Sequence, residues 1–219
     1  RCINPYENWE EYIACASNPD LRFIVSNTTE AGIEYMEGQE TFPSRLTAFL
    51  KARFDIGLGG FIFLPCELID RNGDNLKECV LKYAMDWNLG DDFINWIHNN
   101  NHFTNTLVDR IVTGYPKDTA AELEESYGYR DEIIDTAEIF HLWVIEGDDK
   151  LSEELPFHRY GMNVIWTDDV SPYKTRKVRI LNGAHTMMVP AAFMCGYETV
   201  REALNDNVIF DYMRNGIFD

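Results

Sequence analysis

Apolar residues along this chain come in two rhythms, short continuous runs that end on polar residues and longer stretches that repeat every three or four positions. The first rhythm predicts buried strands, the second amphipathic helices, and their alternation predicts an α/β chain. Trp9, Tyr12, Ile13 and Ala16 lie on one side of an opening helix. Residues 21–25 form an apolar strand that ends on Ser26-Asn27-Thr28. After Pro43, the stripe Leu46, Phe49, Leu50 and Phe54 marks a helix, and residues 61–64 are the next strand. Asp74 stands where an N-cap belongs, with Leu76, Val80, Ala84 and Trp87 as the apolar stripe behind it. Phe93, Trp96 and Ile97 mark a shorter helix. Residues 106–112 and 140–145 read as strands, and the acidic stretch 120–138 between them as a helix and a solvated loop. Residues 163–166 read as the last strand, from which Asp168-Asp169-Val170-Ser171-Pro172 leads into a long helix that Pro190 should kink or end.

The cluster Gly57-Leu58-Gly59-Gly60 precedes a strand and does not stand between a strand and a helix. It therefore cannot set backbone amides and a helix N-terminus around a pyrophosphate, and it reads as a helix stop and loop. With 219 residues and 45% hydrophobic content, the chain can bury a sizeable core, as one large or two small domains. No apolar run approaches the roughly 20 residues that cross a bilayer, and no segment resembles a signal peptide, so a cytoplasmic setting is expected. The cysteines Cys2, Cys15, Cys66, Cys79 and Cys195 are odd in number and scattered, against both a disulfide framework and a zinc ribbon. They are expected to be reduced core thiols. His98, His102, His141 and His158 show no ligand spacing with nearby acids or cysteines, so no metal is expected. A charge of −18 disfavours nucleic acid and acidic membranes as partners.

Against that acidic background, Lys174, Arg176, Lys177 and Arg179 form a basic island suited to an anionic substrate. Lys177, Asn182 and His185 follow on one helix, and at about 100° per residue His185 lies about 80° and Asn182 about 140° round from Lys177. The three can overlook one cleft. Hydride transfer to a ketone needs a group that protonates the developing alkoxide and a donor that stabilises its charge. Lys177 suits the first role and Asn182 the second. A plainer reading competes: His185 also falls on an apolar stripe with Val178, Leu181, Met188 and Ala192, as a core histidine would, and the island is also what a solvated helix face looks like. Polar strand exits are the other place where ligands collect in open α/β sheets. Asn27, Thr28 and Glu30 follow one strand and Asp109-Arg110 ends another; a capped turn and a structural Asp-Arg pair are the respective alternatives.

Four separated segments occur in order: Ser26-Asn27-Thr28-Thr29-Glu30-Ala31-Gly32, Leu64-Pro65-Cys66-Glu67-Leu68-Ile69-Asp70-Arg71-Asn72-Gly73-Asp74, Asn105-Thr106-Leu107-Val108-Asp109-Arg110-Ile111-Val112, and residues 172–185. Together they resemble the mannitol dehydrogenase family of long-chain polyol dehydrogenases, in its branch that acts on hexuronates, over essentially the whole chain. The resemblance implies part of a Rossmann-like NAD-binding domain at residues 1–170 and the start of an all-helical substrate domain at 171–219. It also implies an NAD-dependent, metal-independent interconversion of D-altronate and D-tagaturonate, with a small sugar acid as partner. By the same resemblance Lys177 is the general acid/base, Asn182 and His185 polarise and orient the carbonyl, and Asp109 occupies an active-site position. Asn27, Thr28 and Glu30 lie near the nicotinamide ribose, and Lys174 and Arg110 serve the substrate carboxylate.

Two departures bear on specificity. Mannitol-type members carry an asparagine where this chain has Leu68, and often a glutamate where it has Lys174; the reversed charge favours a uronate over a neutral polyol. Family members open with a strand and a glycine-rich phosphate loop and close with a longer helical domain, so the chain is expected to be an internal piece. Fructuronate reductase and a mannitol-type polyol dehydrogenase remain alternatives. So does a catalytically inactive folded core that associates with other chains.

Overall fold

The computed structural model describes residues 2–218, and the chain divides between Asp168 and Asp169 into two compact units. In the first unit α1 (Trp9–Ala14) leads to strand β1 (Phe23–Ser26), followed by α2 (Phe42–Asp55), β2 (Ile62–Pro65), α3 (Asn72–Asp86) and α4 (Asp91–Asn100). Strand β3 (His102–Phe103) completes a parallel sheet of order β1-β2-β3, with Phe23 opposite Ile62 and Ser26 opposite Pro65. Strand alternation sorts its side chains. Phe61 and Phe63 pack with Leu46, Phe49 and Leu50 of α2, Leu76, Val80 and Ala84 of α3, and Phe93 and Ile97 of α4. Ile62, Leu64 and Phe23 pack with Ile145 and Val164 instead. Those two belong to a second sheet, β4 (Thr106–Asp109), β7 (Leu142–Glu146) and β8 (Val164–Thr167), in which β4 runs antiparallel and β8 parallel to β7. Between β4 and β7 the chain makes β5 (Val112–Gly114), α5 (Ala120–Tyr127) and β6 (Thr136–Ala137), with β5 and β6 antiparallel. Helix α6 (Asp149–Glu154) links β7 to β8.

Helix α2 starts where its sequence says it must: Thr41 and Ser44 form a reciprocal capping box and Pro43 occupies the first turn. At its other end Arg53 is 3% exposed, and the groups it meets are backbone carbonyls. Its guanidinium donates to the carbonyls of Gly59, Ala16, Asn18 and Leu21 and lies over the Phe61 ring. Burial lowers its pKa from the usual arginine value. This accounts for the glycine cluster: Gly57 has φ 72 and turns the chain so that the Gly59 carbonyl reaches Arg53. Arg53→Met would leave those carbonyls buried without a donor, and chemical denaturation should show a loss of about 3 kcal/mol.

Several expectations are corrected. Asp74 does not cap α3; Arg71, in the left-handed region at φ 46, takes that position, and Asp74 lies in the first turn. The amides at this end are met from far away in sequence, by the Asn105 side-chain carbonyl, which accepts from Gly73 and Asp74. Gly73 is required because a Cβ there would sit 2.2 Å from the Thr104 carbonyl oxygen. Trp87 is 43% exposed and ends the α3 stripe outside the core. The strand expected over residues 106–112 is two strands in different sheets. The chain turns at Arg110-Ile111, where the Ile111 amide donates to the Glu138 carboxylate. All five cysteines are thiols; Cys66 and Cys79 are buried and Cys15 partly so, but Cys2 and Cys195 are exposed and are not core residues. Burial pushes the Cys66 thiol up to about 11.

The second unit is helical: α7 (Ser171–Arg176), a π-helical segment (Lys177–Asn182), α8 (Gly183–Met194), α9 (Val200–Asn205) and α10 (Asn207–Phe218). Its core is small, with Met188, Ala192, Ala203 and Ile209 buried. Pro190 does not end α8, which continues to Met194. Thr186, whose carbonyl loses its amide partner, is exposed, so water can serve it. The Asp206 side chain caps α10, accepting from the Val208 and Ile209 amides and from the Tyr197 hydroxyl. The Ile209 amide and Tyr197 hydroxyl hold the Asp206 carboxyl below its ordinary value. The cap's contribution is therefore present at neutral pH and lost as pH falls through the folded value. Among the described residues no helix is long and apolar enough to cross a membrane.

Candidate active site

The carboxyl end of β1 carries the first group of candidate residues. Asn27, Thr28 and Glu30 are exposed there, beyond the last sheet residue Ser26. They do not simply form a capped turn. Glu67, only 2% exposed and two residues past the end of β2, accepts from the Ser26 hydroxyl at 3.0 Å and from the Thr28 amide and hydroxyl at 3.1 and 2.9 Å. Gly32 closes on the same hydroxyl, since a Cβ at that position would meet Thr28 Oγ1 at 1.9 Å.

Asn72 carries the connection onward. Its side-chain amide donates to the carbonyls of Pro65, Glu67 and Thr106, and its side-chain oxygen accepts from the Thr106 amide. The exits of β1 and β2 are thereby tied to the start of β4, whose last residue is the half-buried Asp109. Arg110 is exposed and its Nε donates to the Glu138 carbonyl at 3.0 Å. Glu67, Asn72 and Asn105 are the polar residues that sequence reading passed over. A lone acid inside Leu64-Pro65-Cys66-Glu67-Leu68-Ile69 was the available signal, because a carboxylate at the end of a buried strand needs donors.

In the second unit the expected catalytic helix is present but not regular. Residues Lys177–Asn182 are π-helical, with the Gly183 amide bonded to the Val178 carbonyl, an i→i+5 step. A regular helix would put Asn182 about 140° round from Lys177. A π turn advances only about 80° per residue, so Asn182 falls about 50° round from Lys177, nearer its face than in a regular helix. Lys174, Lys177 and Asn182 are half-buried, whereas Arg176 and Arg179 are exposed. His185 is exposed and not a core histidine. It lies at a cavity of about 610 Å³ with Met188, Val189, Phe193 and Tyr197. Val178 and Leu181, expected on its apolar stripe, are 45% and 54% exposed. Among the described residues no cluster of three or more His, Cys, Asp or Glu is arranged to hold a metal ion.

The family model for the mannitol dehydrogenase Rossmann domain matches residues 1–158, and that for the mannitol dehydrogenase C-terminal domain matches residues 169–218. The chain belongs to the mannitol dehydrogenase family. Among curated members, it is 49% identical over 230 residues to the altronate oxidoreductases of Shigella flexneri and of Escherichia coli O6:K15:H31 (strain 536 / UPEC). Each alignment takes in 100% of this chain and 48% of the relative, so the chain spans about half the length of these family members. Two solved structures share the fold at 24% identity. They are D-sorbitol dehydrogenase in substrate-free form (TM-score 0.77, 96% of this chain and 47% of that one) and the Pseudomonas fluorescens mannitol 2-dehydrogenase ternary complex with NAD and D-mannitol (TM-score 0.70, 99% and 47%). The Rossmann-like α/β unit followed by helices is thus the mannitol dehydrogenase arrangement.

Proposed function

We propose that the whole protein is an NAD-dependent sugar-acid oxidoreductase that interconverts D-tagaturonate and D-altronate. The observation that carries this reading is the 49% identity to altronate oxidoreductases over the entire chain. An amine and an amide donor five positions apart in one helical segment support it chemically. The residues assigned to the cofactor lie in the first unit, and the proposed acid/base lies in the second, which begins at Asp169. Asn27 and Thr28 fit a dinucleotide, because they are exposed polar residues at the carboxyl end of a parallel strand, where Glu67 accepts from the Thr28 amide and hydroxyl.

When bound, the nicotinamide supplies the hydride that reduces the ketone carbon. Lys177 gives a proton to the oxygen as it gains charge, and takes one back when altronate is oxidised. Asn182 and His185 donate hydrogen bonds to that oxygen and fix its direction. Asp109 is assigned as a further active-site residue. Lys174 and Arg110 are assigned to the substrate carboxylate, a group that a neutral polyol lacks.

Assaying the whole protein with tagaturonate, fructuronate and fructose at fixed NADH tests the substrate. Tagaturonate should be reduced with the highest kcat/KM, and fructose as the best substrate would overturn the assignment to a sugar acid. Lys174→Glu should lower kcat/KM for tagaturonate about tenfold or more while leaving that for fructose nearly constant, since it turns an attraction for the carboxylate into a repulsion.

A further inference from the structure

We propose that Glu67 is a positioning residue for the cofactor, holding Asn27 and Thr28 in the conformation that receives the nicotinamide end of NAD(H). The inference rests on the cofactor role given above to the β1 exit. The strand register makes the clamp possible. Ser26 lies opposite Pro65 in the parallel pair, and the Cys66 amide extends the pairing to the Ser26 carbonyl at 2.7 Å. Glu67 then stands alongside the first residues that leave β1. Its two carboxylate oxygens divide the work. Oε2 accepts from the Ser26 hydroxyl, while Oε1 accepts from both the amide and the hydroxyl of Thr28. Asn27 lies between the two clamped residues and is exposed.

Burying a carboxylate to 2% exposure is costly unless several donors meet it, and here the donors come from the candidate cofactor loop. A loop without such a clamp would sample several conformations, and the cofactor would have to order it on binding. From the other side Asn72 anchors Glu67 through its main-chain carbonyl and reaches the start of β4. The clamp is therefore fixed to the sheet and not to a mobile surface. Gln at this position keeps the volume but replaces one acceptor oxygen with a donor, which cannot accept from Ser26 or Thr28.

The test uses the whole protein, with NADH affinity measured by nicotinamide fluorescence and kcat by turnover at saturating NADH. Glu67→Gln should weaken NADH binding about tenfold with kcat largely kept, since Lys177 and Asn182 are untouched. Glu67→Asp, which retains the charge, should fall between the two. Thr28→Val should also weaken NADH, and the Glu67→Gln/Thr28→Val double variant should be little worse than the poorer single, because both changes break one clamp. A lower melting temperature with unchanged NADH affinity in Glu67→Gln makes the residue merely structural and overturns the proposal. Should that variant fail to fold, Ser26→Ala removes one donor with the carboxylate intact, and unchanged NADH affinity there overturns it equally. If Thr28→Val and Asn27→Ala both leave NADH binding unaltered, the cofactor reading of the β1 exit fails. If they weaken it and Glu67→Gln does not, only the role of Glu67 falls.

Discussion

Replacing Lys177 with alanine in the whole protein should lower the rate of hydride transfer to tagaturonate by a factor of about 10² to 10⁴, the usual worth of a positioned acid or base. The mechanism needs a proton at the ketone oxygen as the hydride arrives, and water held by chance is a poor substitute for an amine fixed on a helix. NADH affinity should stay the same, because the clamp of Glu67 on Ser26 and Thr28 is untouched. Separating the two requires single-turnover measurement of NADH oxidation beside an equilibrium titration. A single-turnover rate close to that of the unaltered protein would remove Lys177 from the reaction, and with it the mechanism argued from the basic island. Loss of NADH binding along with the rate would mean that Lys177 acts on the cofactor and not on the substrate oxygen.

Inserting one alanine between Ile180 and Leu181 should be nearly as damaging, for a geometric reason. Ile180 is 42% exposed and belongs to the π-helical segment, so an added residue lengthens the turn without entering the buried cluster of Met188, Ala192, Ala203 and Ile209. Asn182 then stands six positions beyond Lys177, about 120° round from it in an α turn and about as far in a π turn, and leaves the face of Lys177. A displacement of this kind commonly costs about 10²-fold in rate. Helix content should be retained, since the added alanine is a good helix former in an exposed part of the helix. The control is Ile180→Ala, which shortens the side chain but preserves the count. It should keep most of the activity. Full activity in the insertion variant would show that Lys177 and Asn182 do not work as a pair across the π turn.

Much of the fold was legible because it depends on burial, and burial leaves a period in the sequence. Residues 21–25 and 61–64 carry the pattern of strands and lie within one position or two of β1 and β2. The stripe Leu46, Phe49 and Leu50 is buried as its spacing required. The errors fall where polar contacts between distant residues override local propensity. Asp74 looks like an N-cap, yet Asn105 supplies the acceptor from 31 residues away. Residues 106–112 look like one strand, yet Glu138 draws the chain out of the sheet at Ile111.

The same division holds at the candidate site. Residue identities and their order along the chain suffice to select the amine, amide and imidazole of Lys177, Asn182 and His185, and to mark the polar exit at Asn27 and Thr28, because local spacing and chemistry are written one residue at a time. The angle between Lys177 and Asn182 was decided only in three dimensions. A π turn differs from an α turn by which carbonyl each amide chooses, and no hydrophobic period records that choice. The clamp on Thr28 also exists only in the folded sheet, where the parallel register of β1 and β2 brings Glu67 to residues about forty positions earlier.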